Sequence, residues 1–301
     1  MALPKRQGRW LWRFLTFPGI LWLVLLFVFP LYVVLALAFG SVDPIFRSPI
    51  PEYNPLAWNT AQFGDVLSHL IGEDGFLGPP IVRTIIYVLV ASAGCLAIAY
   101  PVAYFVARFG GRRKGLMLGL LIAPFWISYM MRMLAWVNLL QTDGLVNRAL
   151  GAGGLFPVHV AWLDGRPSTV ILGLVYGYVP YMILPLYAGL DRIQPSLIEA
   201  SRDLGASRAE TFRRVTLRMS KPAVLASLLL VTLPMVGDYF TNDLLSGSPS
   251  TAMFGNLVNS AILSTAQKGQ GAALLILMFL VLLVPMIYYV RASAREEGET
   301  V

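Results

Sequence analysis

Six apolar runs, each about as long as a bilayer is thick, limit most strongly how this chain can fold. A helix of about 20 apolar residues crosses the roughly 30 Å of hydrocarbon in a bilayer. The composition agrees, because 57% of the 301 residues are hydrophobic and only 13% are charged. The sequence therefore predicts a single all-α integral membrane domain over residues 1–301, with six transmembrane helices over 17–39, 84–107, 116–140, 169–190, 223–238 and 272–290.

The positions of lysine and arginine predict the orientation of these helices, since cytoplasmic loops carry an excess of both residues. With the N-terminus inside, most of the 23 basic residues fall in inner segments. The inner connection 191–222 alone contains Arg192, Arg202, Arg208, Arg213, Arg214, Arg218 and Lys221. Both termini are then predicted to be cytoplasmic. The net charge of +7 follows largely from this bias, and it indicates contact with anionic membrane lipid rather than binding to nucleic acid.

The connection 191–222 is polar and is predicted to form two short helices outside the membrane. The spacing of a capping box, a serine followed three residues later by a glutamate, occurs twice, in Ser196 with Glu199 and in Ser207 with Glu210. Gly205 lies between them, where a sharp turn needs a glycine. The second helix is predicted to carry an apolar stripe formed by Ala209, Phe212, Val215 and Met219. An apolar knob with a charged rim is typical of a transient protein interface.

This segment resembles the cytoplasmic EAA loop of permease subunits in binding-protein-dependent ABC importers. The residues that match the motif of that family are Glu199, Ala200, Asp203, Gly205, Ala206, Phe212, Val215, Leu217 and Pro222. Two positions depart from it: Ser201 stands where the family has alanine, and Arg218 stands where it usually has proline. The resemblance implies a type I ABC importer permease fold with a coupling helix that sits in a cleft of an ATPase. It implies coupling roles for Glu199, Ala200, Asp203, Gly205, Ala206 and Phe212.

Three further stretches extend the resemblance over most of residues 80–290, to the B-type permease of spermidine/putrescine importers. They are 123–128 with Arg132, 173–187, and 238–258. The resemblance implies a subunit of the bacterial cytoplasmic membrane that forms a heterodimer with a second, C-type permease. It also implies two copies of a cytoplasmic ATPase, which bind ATP and Mg, and an extracytoplasmic substrate-binding protein. The sequence has no Gly-x-x-x-x-Gly-Lys-Ser/Thr loop, so a non-catalytic subunit without a cofactor of its own is expected.

Polar and aromatic residues at membrane depth are the candidates for a substrate path. Pro234 and Gly237 are predicted to interrupt the fifth span, and interrupted spans often hold the site of a transporter. An ammonium group needs a carboxylate and is also held by aromatic faces. The candidates are Asp238, Tyr239, Asp243, Trp126, Tyr129, Tyr176 and Tyr181. The alternative for the aromatic ones is an interfacial belt or helix packing.

Arg132 is a further candidate for the path. Its place in the third span favours a position near the outer face, where its side chain snorkels or pairs with an acid. A cation inside the path would repel a polyamine, so a structural role is the favoured alternative.

The predicted function is import of a polyamine or a related small organic amine. The alternative within the same machinery is another small solute: an opine, an amino-acid-like compound or a phosphonate. A stand-alone channel or ion-coupled carrier would need a carboxylate at the centre of a span, where the sequence has none. An intramembrane enzyme would need a buried histidine pair, whereas His69 and His159 fall in outer segments. They also lack metal-ligand spacing, so no metal site is expected.

Overall fold

The computed structural model describes residues 7–46, 48–71, 77–152, 160–264 and 266–298. The chain divides into two compact units, one formed by 1–75 with 258–280 and the other by 76–257 with 281–301. The helices of the described residues are α1 (Gln7–Leu23), α2 (Phe29–Ala38), α3 (Ala61–Ile71), α4 (Gly78–Phe109), α5 (Lys114–Ile122), α6 (Tyr129–Leu140), α7 (Leu145–Ala152), α8 (Pro167–Asp191), α9 (Pro195–Asp203), α10 (Arg208–Thr211), α11 (Leu217–Val236), α12 (Phe240–Leu245), α13 (Phe254–Leu263) and α14 (Lys268–Gly298).

Within the described residues, five helices are long and apolar enough to cross a membrane. They are Leu15–Ala38, Gly78–Phe109, Pro167–Asp191, Arg208–Val236 and Lys268–Arg291. The bent pair of Gly111–Trp126 and Tyr129–Leu140 makes a sixth span if its two halves are counted as one. The predicted all-α membrane architecture is confirmed.

The third span is broken, and the prediction of one continuous helix over 116–140 is wrong. Its two halves meet at an angle of 81°. Pro124 lies in a short 3-10 turn, and Ile127 and Ser128 come next with ψ angles of 137° and 141°, which are extended values. A proline removes one backbone donor and clashes with the preceding turn of an α-helix. An apolar composition predicts burial in lipid, but it does not report such a local break.

The fifth span is continuous, and the predicted interruption at Pro234 is wrong. The helix extends over Arg208–Val236 and holds Pro234 in its last turn. It begins inside the connection 191–222, because α10 continues through a π-helical turn, Phe212–Thr216, into α11. Membrane helices tolerate proline when neighbouring groups satisfy the freed carbonyl. The chain leaves this helix only after Val236, and Asp238 comes directly after the helix ends.

Helices α4, α8 and α11 supply the core of the unit that contains 76–257. On α4, small residues recur every four positions and are fully buried: Ala91, Cys95, Ala99 and Ala103. Such a stripe lets two membrane helices approach closely. Helices α8 and α11 are equally close, since a Cβ added to Gly189 would lie 2.2 Å from the Cβ of Ala223. Small side chains therefore determine how these three helices pack.

The unit formed by 1–75 and 258–280 contains a short hairpin and α3. Strands β1 (Ser41–Val42) and β2 (Pro49–Ile50) pair antiparallel. The ring of Phe39 stacks on that of Trp58, with 4.5 Å between the centroids. All of the candidate coupling and path residues belong to the other unit.

Candidate functional site

The connection 191–222 contains the predicted helix, glycine turn and second helix. Gly205 separates α9 from α10 and has a φ of +86°. The Oγ of Ser207 accepts the N–H of Glu210 at 3.3 Å, and a carboxylate oxygen of Glu210 accepts the N–H of Ser207 at 3.3 Å. The second predicted capping box is thus confirmed. It starts the helix that enters the membrane as the fifth span.

The first predicted capping box is wrong. Helix α9 begins at Pro195, and the residue before it, Gln194, makes no side-chain cap. Proline is favoured at the first helical position, because its fixed φ suits a helix and no N–H partner is needed there. Ser196 therefore lies inside the first turn. Glu199 has no capping role and is exposed.

The exposed side of α9 and the residue after the helix form a surface that we call the α9 face. It consists of Glu199, Ala200, Asp203 and Leu204. Across the described part of the chain, neither acid is paired with a cation. Leu204 is 89% exposed. The sequence prediction missed Leu204, although its place directly before the glycine turn is a usable signal. The α9 face thus combines an uncovered apolar side chain with two unpaired negative charges.

Phe212 is 36% exposed and so lies at the surface of the connection, and its ring also contacts α4. Its ring lies edge-to-face against Tyr104 at 5.5 Å and against Tyr100 at 6.1 Å, both on α4. The π-helical turn that begins at Phe212 changes the helical register. Thr211 and Thr216 are the buried residues of this stretch, whereas the predicted apolar stripe is not buried. The other stripe members are exposed or half-buried: Ala209, Val215 and Met219.

Two polar contacts tie the start of the connection to the spans. Arg108, at the end of α4, donates a hydrogen bond to the backbone oxygen of Ile193 at 2.9 Å. Lys114 Nζ lies 2.5 Å from the Asp191 carboxylate. Exposed ion pairs add little stability, so the charge-assisted hydrogen bond of Arg108 is the stronger of the two contacts.

Ala206, the predicted coupling residue directly after the Gly205 turn, is half-buried.

Asp238 is the most heavily hydrogen-bonded acid of the candidate path. It is 8% exposed, and its Oδ1 accepts the N–H of Thr241, in the first turn of α12, at 2.9 Å. Its Oδ2 accepts hydroxyl protons from Thr241 at 2.8 Å, Tyr178 at 3.1 Å and Tyr129 at 3.3 Å. All of these donors are neutral. No cation of the described residues pairs with the carboxylate, so its negative charge lacks a counter-charge.

Asp238 lines a cavity of about 520 Å³, the aspartate cavity. Four predicted path residues meet there: Tyr129, Tyr181, Asp238 and Tyr239. The prediction missed Tyr178, which lies three residues before Tyr181 and so on the same face of α8. The remaining walls are Gly177, Leu230, Pro234, Gly237 and Phe240.

Four predicted path residues lie outside the aspartate cavity: Trp126, Tyr176, Asp243 and Arg132. Trp126 is 86% exposed at the break of the third span. Tyr176 lines a separate cavity of about 350 Å³ on another side of α8. Asp243 accepts a hydrogen bond from Asn256 Nδ2 at 2.6 Å. Desolvation raises the pKa of the Asp243 carboxyl, and this hydrogen bond opposes the shift.

Arg132 is buried, and the prediction that it snorkels or pairs with an acid is wrong. It is 6% exposed, and no acid of the described residues pairs with it. Its guanidinium carbon lies 4.1 Å from the ring centre of Phe125, 5.5 Å from that of Tyr129 and 5.9 Å from that of Tyr176. The bend of the third span brings Phe125, before the break, beside Arg132, after it. Cation–π contact replaces the expected ion pair.

Comparison with known proteins places the chain in a family. Residues 99–296 match the family described as binding-protein-dependent transport system inner membrane component. The spermidine/putrescine transport system permease protein PotB of Escherichia coli K12 is 35% identical over 207 residues, which cover 68% of this chain and 74% of that protein. PotB of Haemophilus influenzae is 31% identical over 271 residues, which cover 89% of each chain.

Two solved structures share the fold. A bacterial ABC transporter involved in the import of the acidic polysaccharide alginate aligns with a TM-score of 0.69 and 20% identity over 96% of both chains. A bacterial alginate ABC transporter in complex with a pentasaccharide-bound periplasmic protein aligns with a TM-score of 0.65 and 19% identity over 96% of both chains. At these identities the likeness concerns the fold alone. With the family match and the apolar helices, this chain belongs to the binding-protein-dependent transport system inner membrane components, as a multi-pass permease subunit of an ABC importer.

Proposed function

We propose that this permease subunit moves spermidine, putrescine or a related small organic amine into the cell. The names of the two PotB relatives support this cargo. The observation that carries the proposal is the Asp238 carboxylate, which is almost buried and has only neutral hydrogen-bond donors. A buried charge is costly unless it is paired. An ammonium group of the cargo would supply the missing counter-charge.

The walls of the aspartate cavity suit an alkyl ammonium ion. Tyr129, Tyr178, Tyr181 and Tyr239 offer aromatic faces, and Leu230 and Pro234 offer apolar contact for methylene groups. Aromatic faces attract cations through their quadrupole, most strongly where water is excluded. On Asp238, three hydroxyl groups already surround Oδ2, while Oδ1 accepts a single N–H. A carboxylate oxygen has about two acceptor sites, so Oδ1 is the atom with room for an ammonium proton.

An anionic cargo is disfavoured by the state of Arg132. Arg132 does not line the aspartate cavity, and its Nε and Nη1 are buried without a hydrogen-bond partner among the described residues. An opine or phosphonate in the path would need a cation that it can reach. The accessible charge at the cavity is the negative one of Asp238, so the alternative cargoes lack a recognition group here.

The energy would come from partner subunits. The α9 face has the exposed apolar residue and free acids that a docking surface needs. We therefore assign the α9 face to docking on one of two cytoplasmic ATPase copies, which hold ATP and Mg. This chain forms a heterodimer with a second permease and catalyses no reaction itself. The alginate transporter, solved with its periplasmic protein, supports a substrate-binding protein as the outer partner. In this arrangement both termini are cytoplasmic.

A ligand panel on the substrate-binding protein of the same transporter tests the cargo. We expect spermidine or putrescine to raise its melting temperature and to bind with a dissociation constant below about 1 μM. The comparison ligands are a zwitterionic amino acid, an opine and a phosphonate, measured by thermal shift and calorimetry. Binding confined to an anionic or zwitterionic ligand would reject the polyamine cargo. It would leave the family assignment untouched.

A further inference from the structure

We propose that Phe212 is a positioning residue that couples the connection 191–222 to α4, rather than part of the surface that docks the ATPase. The inference rests on the proposed docking at the α9 face and divides the coupling residues into two groups. One group, centred on Leu204, meets the partner. The other group, centred on Phe212, passes the movement of the docked connection to the transmembrane helices.

Phe212 is 36% exposed, and its aromatic contacts are with α4 of this chain. Its ring lies at 90° to Tyr104 and at 88° to Tyr100. Edge-to-face pairs of this kind have a preferred geometry and resist sliding more than aliphatic contacts do. A single side chain of the connection is thus held by two rings one helical turn apart on α4. Leu204 contrasts with it, because that side chain is almost wholly uncovered.

Hydroxyl contacts continue the link on both sides of Phe212. Ser201 Oγ, on α9, lies 3.2 Å from Thr211 Oγ1, directly before Phe212. The hydroxyl of Tyr100 lies 2.9 Å from Oγ of Ser220, which is fully buried at the start of α11. Both pairs are partly buried, and separating such a pair is costly where a hydroxyl is left without a partner. A displacement of α9 would therefore reach α4 and α11 together.

Helix α4 can carry such a displacement to the outer side. It is one helix of 32 residues. Near its outer end, Thr84 Oγ1 accepts the N–H of Phe254 at 2.7 Å. A packed helix moves as a rigid element, and coupling between distant sites travels through such elements. Tyr104 is therefore the residue of α4 through which a displacement of Phe212 reaches this helix.

The test uses the complete complex in nanodiscs: both permeases, the ATPase and the binding protein. The variants are Phe212→Ala, Tyr104→Ala, their double mutant and Leu204→Ala, with Phe212→Leu as a milder change that keeps apolar volume. Tyr104→Phe is the matched control, because it keeps the ring. Two quantities are measured: the dissociation constant of the ATPase, and the stimulation of ATP hydrolysis by ligand-loaded binding protein.

We expect Phe212→Ala and Tyr104→Ala each to keep the ATPase dissociation constant within about twofold and to lower the stimulation about tenfold. The double mutant should be no worse than Phe212→Ala alone, since that variant already removes the contact with Tyr104. Phe212→Leu should fall in between, and Tyr104→Phe should resemble the wild type. Leu204→Ala should instead weaken ATPase binding about tenfold.

The inference is overturned if Phe212→Ala weakens ATPase binding as Leu204→Ala does. It is also overturned if the two alanine effects on stimulation multiply in the double mutant. A wrong cargo is a separate result: spermidine would then fail to stimulate even the wild type. The same comparison would be made with the ligand that does stimulate it.

Discussion

The Asp238→Asn variant should take up spermidine or putrescine about 10- to 100-fold more slowly than the wild-type complex, because a hydrogen bond to a charged group contributes about 1.5–3 kcal/mol. The substitution removes the negative charge and changes the shape little. The amide oxygen of asparagine accepts hydrogen bonds as a carboxylate oxygen does, so the N–H of Thr241 keeps its acceptor and α12 should still begin where it does now. The initial uptake rate is measured in vesicles that contain all subunits, with saturating ligand-loaded binding protein.

Asp243→Asn is the matched control for that experiment. Asp243 is five residues further along the chain, lies outside the aspartate cavity and contacts Asn256 instead. It should keep an uptake rate close to that of the wild type. Full uptake by Asp238→Asn, or a loss confined to Asp243→Asn, would remove Asp238 from the path.

Gly205→Val should lower transport at least about tenfold, since a side chain in the left-handed region costs about 1–2 kcal/mol and a β-branched one more. The effect is conformational rather than steric, because a Cβ on Gly205 would meet nothing within 4 Å. Relief of the strain would turn α9 away from its present direction and misplace Leu204. The variant should remain folded in the membrane, so transport per molecule is compared with the melting temperature of the purified complex.

Two substitutions separate turn geometry from strain in general. Gly205→Asn should keep most of the activity, because asparagine tolerates positive φ. Gly111→Val introduces similar strain at a φ of +49°, also with nothing within 4 Å, but in the turn between α4 and α5. It should have a smaller effect on coupling. Equal losses from Val at 205 and at 111 would contradict a specific role of the 205 turn.

The spans could be predicted from the sequence because a helix must be apolar and about 20 residues long to cross the hydrocarbon of a bilayer. Where a span is broken could not be predicted in this way. Pro124 ends a helix and Pro234 does not, although both are prolines in apolar runs. The difference lies in the backbone after Pro124, since Ile127 and Ser128 adopt extended angles. Those angles depend on tertiary packing rather than on local composition.

The candidate site divides in the same way. Asp238 and Gly205 could be predicted, because the chemistry of an ammonium ion and of a left-handed turn each favours one residue type. The contacts of Phe212 with Tyr100 and Tyr104 could not, because they depend on how the connection packs against α4. The surroundings of Arg132 could not be predicted either, because its aromatic neighbours lie on both sides of an unpredicted bend.

The most direct test of the central claim is uptake of radiolabelled spermidine into vesicles that contain both permeases, the ATPase and the binding protein. The account predicts that spermidine accumulates with ATP supplied on the ATPase side and does not accumulate with a non-hydrolysable analogue. It also predicts that omission of the binding protein abolishes uptake. Uptake without ATP would contradict the account. So would an absence of amine uptake in a complex whose ATP hydrolysis responds to a different ligand of the binding protein.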